Sequence, residues 1–160
     1  MRDGEDSPGR FGRSATVEVD PRRVGEVDVT YRPRSDAQAD PGEVVWTWVP
    51  YEENDGRGKD RPVLIVARAG GSLLGVALTS KPHEHGEFVA VGAGGWDGSG
   101  RPSWAGVGRV FRVQGAGVRR VSVAVDARVF ARVSRDLVGR YGWGVRRSLV
   151  RRVVGALFGR

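Results

Sequence analysis

The sequence predicts a mainly β domain closed by one helix near its C-terminal end, an α+β fold. Three observations predict it. Short runs of β-branched and aromatic residues recur between glycine and proline turns, a helix-period segment follows the last of them, and cysteine is absent, so a hydrophobic core must carry the fold. The 160 residues suffice for one ordinary domain with tails and are few for two.

Residues 1–40 mix Gly, Pro, Asp, Arg and Ser with little apolar periodicity, a composition that does not offset the entropy of ordering. A mostly disordered leader is expected there, with Val24–Tyr31 able to add an edge strand. After the turn signal Asp40-Pro41-Gly42, the run Glu43–Val49 (EVVWTWV) is apolar on both faces and predicts a central strand. The polar loop Pro50–Arg61 has the length of loops that often carry function. Pro62–Ala67 (PVLIVA) then predicts a second buried strand, joined through Ala69-Gly70-Gly71 to a third, Leu73–Thr79.

Phe88–Val91, Ser103–Val113 and Arg120–Val125 complete a meander-like set around the glycine-rich loop Gly92–Gly100. Asp126 is placed to cap a helix running to about Arg140, with Val129, Val133 and Leu137 on one face. Gly142 and Gly144 break it. The expected domain is therefore 41–141, followed by a tail, 142–160. Between Val145 and Phe158 the tail's apolar positions fall at helical spacing with Arg146, Arg147, Arg151 and Arg152 opposite, a basic amphipathic helix.

Charge is uneven along the chain. Residues 1–40 carry −2, residues 41–100 carry −3 and residues 101–160 carry +12, within a total of +7. Such a cationic third favours phosphate polymers or acidic protein partners, through salt-sensitive electrostatics. Anionic lipid ranks below these, and membrane association is not expected. No run of about twenty apolar residues exists, and Met1–Arg13 is charged rather than signal-like, so a cytoplasmic protein is expected.

The passage Gly56-Arg57-Gly58-Lys59-Asp60-Arg61-Pro62 carries three cations between glycines. A guanidinium at Arg61, where the chain becomes rigid, can fork onto two phosphate oxygens and stabilise a pentavalent transition state. A solvated, salt-bridged turn is the plain alternative. Thr79-Ser80-Lys81 puts two hydroxyls beside a lysine at a strand end, suited to the same phosphate or to bonding the local backbone. His83 and His85, with Glu84 and Glu87, fall short of the three-ligand pattern of catalytic zinc; an imidazole acting as general base fits better, and a surface loop remains the plain reading. Gly92–Gly100 matches neither a dinucleotide fingerprint nor a P-loop, so no nucleotide cofactor is expected. Trp96 and Trp104 flank it. An exposed tryptophan can stack on a base, worth about 1–3 kcal/mol, although core placement is commoner.

In order and spacing, Pro41-Gly42-Glu43-Val44-Val45-Trp46, a charged loop, Gly58-Lys59-Asp60-Arg61-Pro62-Val63-Leu64-Ile65-Val66, and Ala77-Leu78-Thr79-Ser80-Lys81 resemble the MazF/PemK family of toxin–antitoxin toxins. The resemblance covers roughly residues 41–140. It implies an SH3-like barrel of the MazF/PemK/CcdB type that dimerises, and a growth-inhibiting, metal-independent endoribonuclease that acts on single-stranded RNA without a cofactor. It also implies a cognate antitoxin, with operator DNA reached through the antitoxin complex. The family's catalytic pair falls on Arg61 and Thr79, with Arg57, Lys59, Ser80 and Lys81 as substrate-binding residues. The sequence departs from the pattern in three places. Glu43 replaces an Asp, Val107-Gly108-Arg109-Val110 lacks the acidic residue expected near Gly108, and both ends are extended. A non-catalytic SH3-like nucleic-acid-binding module is the alternative that keeps the same basic surface.

Overall fold

The strand β2 (Glu43–Pro50) needs partners on both edges, because its backbone is buried along almost its whole length. It finds them in β3 (Gly58–Ala69) and β8 (Arg119–Ala124), both antiparallel. The computed structural model of the chain describes residues 8–33, 39–84 and 86–144, without the side chains of residues 120–122. The remaining elements are β1 (Val17–Val19), β4 (Ser72–Thr79), β5 (Phe88–Gly92), β6 (Ser103–Gly106), β7 (Val110–Val113) and α1 (Ala127–Tyr141). They build an eight-stranded sheet in the order β1-β7-β4-β3-β2-β8, with β6 pairing both β4 and β5. The α+β fold expected from the sequence is the fold found.

Alternate residues of the central strands feed two cores. Val44, Leu64, Val66 and Val76 face one way, against Phe130, Val133 and Leu137 of α1. Val45, Val49, Val63 and Ile65 face the other, with Phe111 and Val113. Both faces being covered explains why EVVWTWV and PVLIVA read as continuous apolar runs. Gly70-Gly71 closes the two-residue β3–β4 hairpin, where Gly70 takes φ 61°, a value that disfavours a side chain. Asp126 caps α1 as expected, its Oδ1 accepting from the Val129 N–H at 2.9 Å, and the helix ends at Gly142.

Several boundaries differ from expectation. The loop after β2 is only residues 51–57, because Lys59, Asp60 and Arg61 are drawn into β3 opposite Val49, Trp48 and Thr47. Arg61 therefore sits inside a strand rather than at its entrance. The stretch Ser103–Val113 is not one strand. β6 and β7 pair successive parts of the same edge of β4, and Val107, Gly108 and Arg109 are interposed between them, which bends the sheet.

The expectation of a disordered leader is corrected for residues 8–33. β1 pairs β7, Val27 is buried, the Tyr31 hydroxyl donates to the Val125 carbonyl at 2.7 Å, and the Trp143 indole donates to the Pro21 carbonyl at 2.7 Å. The strand in this segment is Val17–Val19, whereas Val24–Tyr31 contributes only the bridge from Asp28 to Arg68. Trp143 is part of the core, so packing reaches beyond residue 141. The helix expected over 145–158 lies outside the described residues. Among the described residues no helix is long and apolar enough to cross a membrane.

Candidate active site between β3 and β4

The pairing of β3 with β4 stops at Val63 and Ala77, and the next residue of β3, Pro62, has no N–H with which to extend a ladder. Beyond that point the two strands separate. Side chains alternate along each strand, so Arg61 and Thr79, each two residues past the last pair, continue the row occupied by Val63 and Ala77. β4 meanwhile turns to β6, with Thr79 opposite the half-buried Trp104.

Two adjoining concavities open here, each of about 530 Å³. Arg61, Thr79, Lys81 and His83 line both and form the ridge between them. Arg57 lines the first, together with Glu52, Glu53, Glu87 and Arg109; Lys59 and Ser80 line the second, together with Trp46 and Arg101. Every residue that the sequence singled out as catalytic or substrate-binding thus borders one connected cleft.

Their electrostatic situations differ. The Arg61, Lys59 and Lys81 side chains have no hydrogen-bond or ion-pair partner among the described residues. Arg57 is engaged by Asp55, with Nη2 2.9 Å from the carboxylate. The Arg57 backbone N–H, then its guanidinium, hold the Asp55 carboxyl below the usual carboxylate range. Thr79 Oγ1 accepts from the Lys81 backbone N–H at 3.1 Å, the local bond expected of a strand-terminal threonine, and keeps its own hydrogen for donation. The arrangement presents one half-buried guanidinium, the hydroxyls of Thr79 and Ser80 and two ammonium groups to the cleft, a donor set suited to phosphate oxygens.

Other residues take roles that composition did not reveal. Trp96 is buried, its indole donating to Ser103 Oγ at 3.0 Å, so the core reading holds for it. Glu87 is tied to α1 through Arg140, and burial raises the pKa of the Tyr141 hydroxyl, the Arg140 guanidinium opposing the shift. His83 is exposed at the ridge and His85 lies outside the described residues. Among the described residues no group of three His, Asp or Glu side chains is arranged to hold a metal ion. Arg109, absent from the sequence-derived set, donates to the Glu18 carboxylate at 2.8 Å and to the Pro50 carbonyl at 2.9 Å. No local signal marks it, since Glu18 lies 91 residues away.

No curated protein matches the chain. Among solved structures, MazF (Form-I) from Deinococcus radiodurans is similar at a TM-score of 0.50 and 19% identity, over 67% of this chain and 99% of that one. The MazE-MazF structure (Form-II) from the same organism aligns at 0.48 and 19%, over 67% and 98%. At such identity the likeness is one of fold. The family described as "PemK-like, MazF-like toxin of type II toxin-antitoxin system" matches residues 40–138, well over half the chain and the whole of β2 to most of α1. On that match the chain belongs to the PemK-like, MazF-like toxins of type II toxin–antitoxin systems.

Proposed function

We propose that the cleft cleaves single-stranded RNA by attack of a ribose 2′-hydroxyl on the adjacent phosphodiester. The observation that carries this reading is the Arg61 guanidinium, without a partner among the described residues, standing in one row with the Thr79 hydroxyl at the ridge shared by two concavities. As the 2′-oxygen bonds to phosphorus, the bond to the 5′-oxygen breaks, leaving a 2′,3′-cyclic phosphate and a 5′-hydroxyl. Negative charge grows on the non-bridging oxygens. Arg61 opposes it with two parallel donors, and Thr79 donates to one of the same oxygens. Ser80, Lys59 and Lys81 hold the flanking phosphates, while Arg57, already occupied by Asp55, contributes less.

The 2′-hydroxyl proton must go somewhere, and the leaving oxygen must receive one. His83 borders both concavities, and imidazole is the side chain best suited to exchange protons near neutrality. Arg61 supplies the charge stabilisation that the reaction needs from the chain itself, without a cofactor. The same unpartnered cations suit an acidic antitoxin segment laid along the cleft, which would block RNA by occupying its phosphate sites. A homodimer, and operator DNA bound through the antitoxin complex, belong to the same reading.

The test is to incubate purified full-length protein with synthetic single-stranded RNA in the presence of a chelator and to map the new ends. Cyclic phosphate and 5′-hydroxyl ends are expected. RNA that is bound with steep salt dependence yet stays intact would establish a non-catalytic binding module instead.

A further inference from the structure

The segment 8–19 lies outside the matched family region, yet its contacts converge on the rim of the first concavity. β8 pairs β2 only as far as Trp46, and beyond it the lane along β2 is taken by the segment, where the Trp48 N–H donates to the Pro8 carbonyl at 2.9 Å. The hydroxyls of Thr16 and Thr47 lie 2.7 Å apart, both buried. Each has one hydrogen. Either can donate to the other, and the Thr47 hydroxyl also lies within donating distance of the Gly117 carbonyl at 3.0 Å and the Pro8 carbonyl at 3.3 Å. Gly9 approaches so closely that a Cβ there would lie 2.0 Å from Thr47 Oγ1, and its φ of +85° disfavours any side chain.

The other contacts reach the loop 51–57 from its two ends. β1 lies against β7, and the Glu18 carboxylate accepts from Arg109 Nε at 3.2 Å and Nη2 at 2.8 Å. The same Nη2 donates to the carbonyl of Pro50, the last residue before the loop. Arg10 lies over the Trp48 ring at 5.0 Å and reaches the Gly56 carbonyl near the loop's far end at 3.5 Å. Tyr51, Glu52, Glu53 and Arg57 of this loop, and Arg109 itself, all line the concavity.

We infer that residues 8–19 are a strap that sets the rim of the cleft, with Arg109 as a positioning residue that ties Glu18 to Pro50 and so to the loop 51–57. Its consequence for RNA rests on the reading of the cleft as a nuclease site. The strap itself does not.

Two full-length variants test it, Gly9→Ala, which drives the strap off Thr47, and Glu18→Gln, which removes the carboxylate charge that faces Arg109. Hydrogen exchange needs no activity and reads the loop directly through the amides of Tyr51 and Asn54, bonded to the Arg57 and Tyr51 carbonyls at 3.0 and 2.9 Å. Both amides should exchange faster in both variants, while β3 amides at the core keep their protection and report an intact fold. Unchanged exchange at Tyr51 and Asn54 in both variants would overturn the inference. For RNA cleavage, KM should rise up to about fivefold in Glu18→Gln with kcat little changed, the scale of losing a partly exposed ion pair. A fall in kcat at constant KM would overturn the positioning role of Arg109. A wild-type protein that leaves RNA intact would strike the nuclease reading alone and leave the exchange result to decide the strap.

Discussion

At the ridge between the concavities, single side chains divide the work. A guanidinium without a partner is available to a phosphate, whereas one held by a carboxylate must first be released, which ranks Arg61 above Arg57. His83→Gln should lower cleavage by about a hundredfold or more. An unaltered rate would send the proton to another group. Asp55 makes a separate prediction. Its folded pKa lies below the ordinary 3.8, so the order that it lends to loop 51–57 is present above that value and lost as pH falls through the lowered pKa. Following the Asp55 carboxyl and the Asn54 amide together by NMR should show the loop loosening only as Asp55 protonates; loosening while Asp55 is still ionised would contradict this. Arg61 and Thr79, proposed as the catalytic pair, stand out in the sequence because Arg-Pro at the start of an apolar run and Thr-Ser-Lys at the end of another are local patterns, and the structure puts both on the cleft. Arg109 and Glu18 do not stand out, because a pair 91 residues apart leaves no mark on either neighbourhood.

Among the elements, those with a full period of apolar residues lie where the sequence predicts them. β2, β4, β5 and α1 fall within a residue or two of their expected bounds. β3 is longer than the apolar pattern predicts, since Lys59-Asp60-Arg61 has loop chemistry; it is strand because the buried backbone of β2 requires partners there. That extension puts Arg61 on a rigid strand. The break at Val107, Gly108 and Arg109 was invisible for the converse reason, as the apolar pattern continues across it while the register with β4 does not. β1 is three residues long with Val17 exposed, too brief for alternation to show. The helix is the element whose start is most open to test. Asp126→Ala removes the acceptor of the Val129 N–H and should cost about 1 kcal/mol, read as a lower Tm with the fold retained. An unchanged Tm would mean that packing of Phe130, Val133 and Leu137 alone fixes the helix start.

Across the whole molecule, charge is arranged differently from what segment totals suggest. The last third is strongly basic, yet Arg101, Arg109, Arg119 and Arg140 are ion-paired with Asp97, Glu18, Asp60 and the pair Asp136 and Glu87. The cleft cations without a partner among the described residues come from β3 and the end of β4, within the segment whose total is negative. Two departures from the family pattern also meet in space, because the extension supplies Glu18 to the unexpected Arg109. The central claim is that Arg61 stabilises charge on a scissile RNA phosphate. Its most direct test compares cleavage rates of single-stranded RNA by wild-type protein and Arg61→Ala, with circular dichroism to show that both are folded. A fall of about a hundredfold to a thousandfold is expected, the usual cost of losing a donor to a developing oxyanion; an Arg61→Ala protein that cuts RNA at the wild-type rate would contradict the account.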